Sequence, residues 1–295
     1  MELAIHNWMR AETLEHTLNR INKLDYTHIE IQGTPENYAI KKAQLLLDLY
    51  GIKCWGSVTL MLEQRNLLAK DPAQRKMSIQ YVKDVAKMVY ELDGKVISLV
   101  PATVGKIVPD AKPEEEWEWA VEGIKEIYKY TEDHGLQIGI EPINRFETYF
   151  INRGEQALAL AEAVGPNCGV CLDTFHMNLE EVNMFDTIKK VGKRLVNFHV
   201  ADNNRMAPGM GHLNWTKIIN TLKEIEYDKV LSVEFCSPLD RTPANPYPNS
   251  IETNPEGLTA EQKKFLEDHG SSAVTDEFYT MLTKKSIDTL KELIK

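Results

Sequence analysis

Residues 136–174 read LQIGIEPINRFETYFINRGEQALALAEAVGPNCGVCLDT. A short apolar run ends in Glu141, and a second apolar run ends in Asp173. Between them Ala157, Leu158, Leu160, Ala161 and Val164 recur at threes and fours, which predicts a helix with one apolar stripe. Strand, helix, strand, with an acidic residue closing each strand, is one unit of a parallel α/β fold. Downstream, LVNFHVA (195–201) carries His199 and KVLSVEF (229–235) carries Glu234 at the matching point.

Along the rest of the chain the same rhythm predicts eight strands: Leu3–Asn7, Thr27–Ile31, Ile52–Val58, Lys95–Val100, Leu136–Ile140, Gly169–Leu172, Leu195–Val200 and Lys229–Val233. Several are nearly continuous in Val, Ile and Leu, as strands covered on both faces should be. Ile79, Val82, Val85, Ala86 and Val89 predict a further amphipathic helix. Eight such units make either a closed barrel or a doubly wound sheet. No G-x-G-x-x-G opens the first unit, which removes the main support for the dinucleotide-binding sheet. The successive spacings, Glu141 to Asp173, Asp173 to His199 and His199 to Glu234, are 32, 26 and 35 residues. One βα unit of a barrel occupies roughly 30 residues, so these four side chains fall in phase. The expected architecture is an α/β fold, a single (β/α)8 TIM barrel over residues 1–295. A proline-rich excursion over 238–272 follows the eighth strand, with Pro238, Pro243, Pro246, Pro248 and Pro255. A long irregular segment at that point is expected over the barrel mouth, as a lid or docking surface.

Composition narrows the function. Apolar residues make up 43% and charged residues 26%, the balance of a soluble globular chain. A net charge of −10 repels phosphate backbones, so nucleic acid is not an expected partner. No apolar run is long enough for a membrane span, and MELAIHNWMR has no secretory pattern. The expectation is a cytoplasmic chain with reduced thiols. Cys168 and Cys171 form a C-x-x-C, yet residues three apart on a strand face opposite sides. With no second pair and no helix read directly after them, they are taken as packing cysteines, like Cys54 and Cys236.

Glu141, Asp173, His199 and Glu234 end four consecutive strands and should converge above the barrel. Carboxylates with one imidazole suit Mn²⁺, Co²⁺, Mg²⁺ or Fe²⁺ better than structural zinc. Such a cation next to a carbonyl stabilises an ene-diolate, and Glu141 and Glu234 can move the proton on either face. Glu147, His176 and Arg205 lie in the following loops, placed to hold sugar oxygens, and His6 ends the first strand facing the mouth. Trp8, Trp55 and Trp215 are candidate pocket walls. His16, His28, His134, His212 and His269 read as surface or loop residues.

At these residues the chain resembles the sugar isomerase and epimerase superfamily of xylose-isomerase-like barrels. IEPINRFETYF, CLDTFHMNLEE, FHVADNNRMAPGMGHLNW and VEF are similar to the ketose 3-epimerases acting on tagatose, psicose and allulose. The resemblance implies Mn²⁺ or a related ion on Glu141, Asp173, His199 and Glu234. It implies an acid/base pair of Glu141 and Glu234, with Glu147, His176 and Arg205 on the substrate. HNWMR, EIQGTPENY and the segment after Phe235 depart from the epimerases. With INRFETYFINR and ADNNRMAPG they resemble the catalytic subunits of bacterial C-glycoside deglycosidases. The specific expectation is therefore a lyase cleaving the carbon–carbon bond of a 3-oxo-glucosyl C-glycoside, with a ketose 3-epimerase as the alternative. The expected partners are that 3-oxo-glycoside or a keto-sugar, and either a smaller second subunit or a second copy of the chain. Phosphodiester hydrolysis, as in AP endonucleases of this barrel type, would need further ligands and a basic groove. A non-catalytic scaffold would not need four ligands in register.

Overall fold

The structure is a computed structural model and describes residues 1–237, 240, 242–248, 250, 260, 263 and 274–295. Its strands are β1 (Glu2–His6), β2 (His28–Gly33), β3 (Lys53–Thr59), β4 (Val96–Leu99), β5 (Gln137–Ile140), β6 (Gly169–Asp173), β7 (Leu195–Val200) and β8 (Val230–Val233). They pair in sequence order, all parallel, and β8 closes on β1 with Val233 beside Ile5. This is the predicted (β/α)8 barrel. Each strand overlaps its predicted range, with ends shifted by a residue or two. β4, β6, β7 and β8 are buried along their whole length, which is why they read as continuous apolar runs.

The surrounding helices are α1 (Leu14–Asn22), α2 (Ile40–Tyr50), α3 (Pro72–Glu91), α4 (Pro113–Asp133), α5 (Gly154–Val164), α6 (Thr174–Glu180), α7 (Met184–Val191), α8 (Trp215–Glu224) and α9 (Asp276–Ile294). The predicted stripes are the buried faces: Val82, Val85, Ala86 and Val89 in α3, and Ala157, Leu160, Ala161 and Val164 in α5. Starts are marked as the chemistry requires. The Asp71 carboxylate accepts from the Ala73 N–H at 2.9 Å with Pro72 in the first turn of α3. No helix among the described residues is long and apolar enough to cross a membrane.

Three expectations change. His28 is not a surface residue: it opens β2 and is buried. His176 is not in a loop, because α6 begins directly after Asp173. A helix therefore does follow the C-x-x-C, but burial pushes the Cys171 thiol up, so it is no thiolate. Most of the proline-rich segment lies outside the described residues. At its edges the Tyr247 ring packs on Phe278 of α9, 5.0 Å between centroids.

One irregularity sets up the interior. β3 slips by a residue against β2 between Ile29 and Glu30, so Gly56 stands opposite Glu30. A Cβ at Gly56 would lie 2.2 Å from the Val96 carbonyl oxygen, so only glycine lets β4 come this close. Alternation along β2 turns Glu30 to the face opposite Ile29 and Ile31.

Candidate active site

Parallel strands carry their C-terminal ends to one rim, and four of those ends supply the predicted cluster. Glu141 follows β5, Asp173 ends β6, His199 lies near the end of β7 and Glu234 follows β8. One ligand atom of each lies within 4.8 Å of the others, and all four residues are buried. His199 Nδ1 lies 3.0 Å from Glu141 Oε1 and 2.7 Å from Glu234 Oε2. Asp173 also caps α6, accepting from the His176 N–H at 2.9 Å.

Three carboxylates this close, away from water, disturb one another. Burial, with the Glu234 charge next, pushes the Asp173 carboxyl up to about 8. Burial also raises Glu141, against the pull of His199. Glu234 goes the other way: burial would raise it, but His6, His199 and Arg205 bring it down. Burial alone would depress the His199 imidazolium, and the surrounding Cys171, Glu141, Glu234 and Glu30 hold it well above the usual range. A divalent cation among these groups would remove the repulsion. The donor set of three carboxylate oxygens and one imidazole nitrogen fits Mn²⁺, Co²⁺, Mg²⁺ or Fe²⁺.

Above the cluster is a cavity of about 470 Å³ whose lining includes Trp8, Glu141, Glu147, His176, Arg205 and Glu234. Arg205 Nη1 donates to Glu147 Oε1 at 2.9 Å, and Asn144 Nδ2 donates to the same oxygen at 2.8 Å. Arg205 has φ of 60°, a left-handed conformation unusual for arginine, held where the Cys236 N–H donates to its carbonyl at 2.7 Å. The tautomer of His176 follows from its neighbours. Asn144 Oδ1 accepts from the Phe146 N–H, which turns Nδ2 toward His176 Nδ1 at 2.9 Å. The Asn144 backbone N–H points there too, so Nδ1 is the acceptor and Nε2 carries the hydrogen. Burial brings the His176 imidazolium down to about 4, leaving a neutral donor.

His6 is absent from the cavity lining, although its Nε2 lies 3.8 Å from Glu234 Oε2. It packs edge-on against His199 at 4.5 Å between centroids, and neither ring nitrogen has a hydrogen-bond partner among the described residues. Trp8, one of the three candidate pocket walls, is in the cavity lining, and its Nε1 donates to Glu234 Oε1 at 2.9 Å. Trp55 and Trp215 lie elsewhere, donating to Asn197 and Asp202. The sequence reading passed over Asn144, Glu30, Ser98 and Asn197. Glu30 carried a signal, being a charged residue between two isoleucines in a strand. Another group of potential ligands, Glu12, His16 and Asp276, is tied up with Arg10 and Arg20 in ion pairs.

Fold and cluster define the class: a parallel (β/α)8 barrel with a carboxylate–imidazole site, suited to a divalent cation, at its C-terminal mouth. The chain belongs to the xylose isomerase-like TIM barrel family, matched over residues 18–269. It is 30% identical over 233 residues to a D-psicose 3-epimerase of Ruminiclostridium cellulolyticum, covering 75% of this chain and 77% of that protein. It is 27% identical over 212 residues to an L-ribulose 3-epimerase of a Methylomonas species, covering 71% and 73%. In structure it is similar to D-psicose 3-epimerase with D-tagatose from Clostridium cellulolyticum H10, with a TM-score of 0.82, 24% identity and both chains fully covered (100%).

Proposed function

We propose that this chain is a divalent-metal-dependent ketose 3-epimerase, with Mn²⁺ or Co²⁺ the first ions to try. The observation that carries the reading is the placement of two buried glutamates, Glu141 and Glu234, on strands separated by two others, both against His199 Nδ1. Similarity to 3-epimerases over three quarters of the chain supports the same reading. It also moves the preference away from the carbon–carbon lyase expected from HNWMR and EIQGTPENY, because the relatives above are epimerases.

Bound by Glu141, Asp173, His199 and Glu234, the cation would supply Lewis acidity toward the carbonyl oxygen of the ketose. One glutamate takes the proton from C3 on one face, and the other returns a proton on the opposite face. The roles exchange with the direction of reaction, so both carboxyls must reach the same carbon. Arg205, Glu147 and the His176 Nε2–H are the groups that orient the sugar hydroxyls, fixing C3 between the two glutamates. Trp8 holds Glu234 in place.

Incubating the Mn²⁺-loaded protein with D-psicose, D-fructose, D-tagatose or an L-ketose, then separating products by chromatography, tests this. A C3-epimeric pair should form from at least one of them. Inert ketoses, together with release of aglycone from a 3-oxo C-glycoside, would sink the epimerase reading in favour of the lyase.

A further inference from the structure

We propose that Glu30, in the middle of β2, is a positioning residue for His199: it takes the imidazole Nε2–H, so that the Nδ1 lone pair is the one offered to the cation. The inference rests on the metal-dependent reading above and concerns a residue outside the four ligands.

Hydrogen accounting carries it. Glu30 is fully buried, and its Oε1 lies 3.3 Å from His199 Nε2. Its Oε2 accepts from Asn197 Nδ2 at 2.9 Å, and Ser98 Oγ donates to its Oε1 at 3.1 Å. The Asn197 amide has one orientation. Its Oδ1 accepts from the indole N–H of Trp55 at 2.9 Å and from the Phe198 N–H at 3.0 Å, so Nδ2 must be the end facing the barrel interior. The two Nδ2 hydrogens are taken by Glu30 Oε2 and by Ser98 Oγ, each at 2.9 Å. Asn197 Nδ2 also lies 3.0 Å from His199 Nε2, but with both its hydrogens placed it has none to give that nitrogen. Ser98 Oγ also lies 3.3 Å from Nε2, but its one hydrogen goes to Glu30 Oε1, so it too has none to give, and the ionised acceptor within reach of an Nε2 hydrogen is Glu30.

The other end of the ring settles why this matters. Nδ1 is the nitrogen that points between Glu141 and Glu234. A histidine that ligates through Nδ1 must carry its hydrogen on Nε2, and a carboxylate accepting that hydrogen behind the ring fixes both tautomer and orientation. The register slip between β2 and β3 places Glu30 beside Gly56, where the two strands part from regular pairing. Glu30 comes from β2, Ser98 from β4 and Asn197 from β7, so the bracket that holds the ring spans the barrel interior.

The test uses the full chain, stripped of metal and titrated with Mn²⁺ by electron paramagnetic resonance of the free ion. Glu30→Gln removes the ionised acceptor. Glu30→Asp keeps the charge and draws the carboxylate back from Nε2. Both should weaken Mn²⁺ binding by about 10- to 100-fold, with metal-free melting curves still cooperative. Wild-type affinity in both variants overturns the role, and wild-type affinity in Glu30→Asp alone reduces it to charge and overturns it equally. A reading free of variants is available from ¹⁵N-histidine spectra of the Mg²⁺-loaded wild type. His199 should show a protonated Nε2 and a bare Nδ1; a hydrogen on Nδ1 contradicts the proposal. Wild-type protein that binds no Mn²⁺ would instead strike the metal-dependent reading, and Glu30's role falls with it.

Discussion

Glu234→Gln protein, loaded with Mn²⁺, is expected to epimerise D-psicose roughly a thousandfold more slowly than wild type, with KM moved far less. A carboxamide is nearly the same shape as a carboxylate but has one oxygen, so it keeps a partner for the Trp8 N–H or a donor for a cation, which the two oxygens of Glu234 serve separately. What it loses is the ability to take or return a proton. An interaction needed only while the proton is in flight should show in kcat, not in substrate affinity. Glu141→Gln should behave the same way, because the two faces of C3 need one carboxyl each. Metal content of each variant must be measured beside the kinetics, since loss of the ion would mimic loss of the base. Near wild-type turnover by metal-loaded Glu234→Gln would remove that residue from the acid/base pair.

Removal of metal should be as severe. Chelation followed by desalting is expected to take activity to background, and added Mn²⁺ or Co²⁺ should bring it back. The same ion should stabilise the fold, because the four donors are brought together only in the folded barrel. At an ion concentration 100 times Kd the gain is about 2.7 kcal/mol, which for a chain of this size raises Tm by roughly 5 °C. The raised carboxyls of Asp173 and Glu141 give the sign: the cation replaces their mutual repulsion with attraction. Full turnover by protein shown to be metal-free contradicts the account.

The barrel was legible because its later strands are buried on both faces and end in one polar residue each. GVCLD, LVNFHV and VLSV have no solvent side, so they need no alternation to be recognised. Register then put Glu141, Asp173, His199 and Glu234 together without any coordinates. What was not legible depended on contacts between distant strands. Glu30 alternates with Ile29 and Ile31, which in an isolated strand reads as a solvated position. In a closed barrel the second face is an interior, and Glu30 finds Ser98, Asn197 and His199 across it. From sequence His176 reads as a loop residue, because Asp173 reads as a ligand and one residue doing two jobs (capping α6 as well) hides the helix start. His6 ends its strand beside His199 and Glu234 but is not part of the cavity lining. The choice between epimerase and lyase had no signature in the four ligands, since both begin by enolising a keto-sugar.

Solvent labelling follows the transferred proton itself. In D₂O, Mn²⁺-loaded protein acting on an unlabelled ketose must lose the C3 hydrogen to one glutamate and take a proton back from the other. Mass spectrometry and proton NMR of the product should show deuterium at C3 in the epimer, entering with turnover and absent in the Glu234→Gln variant. An epimer that forms at full rate with its original C3 hydrogen would contradict proton transfer through Glu141 and Glu234.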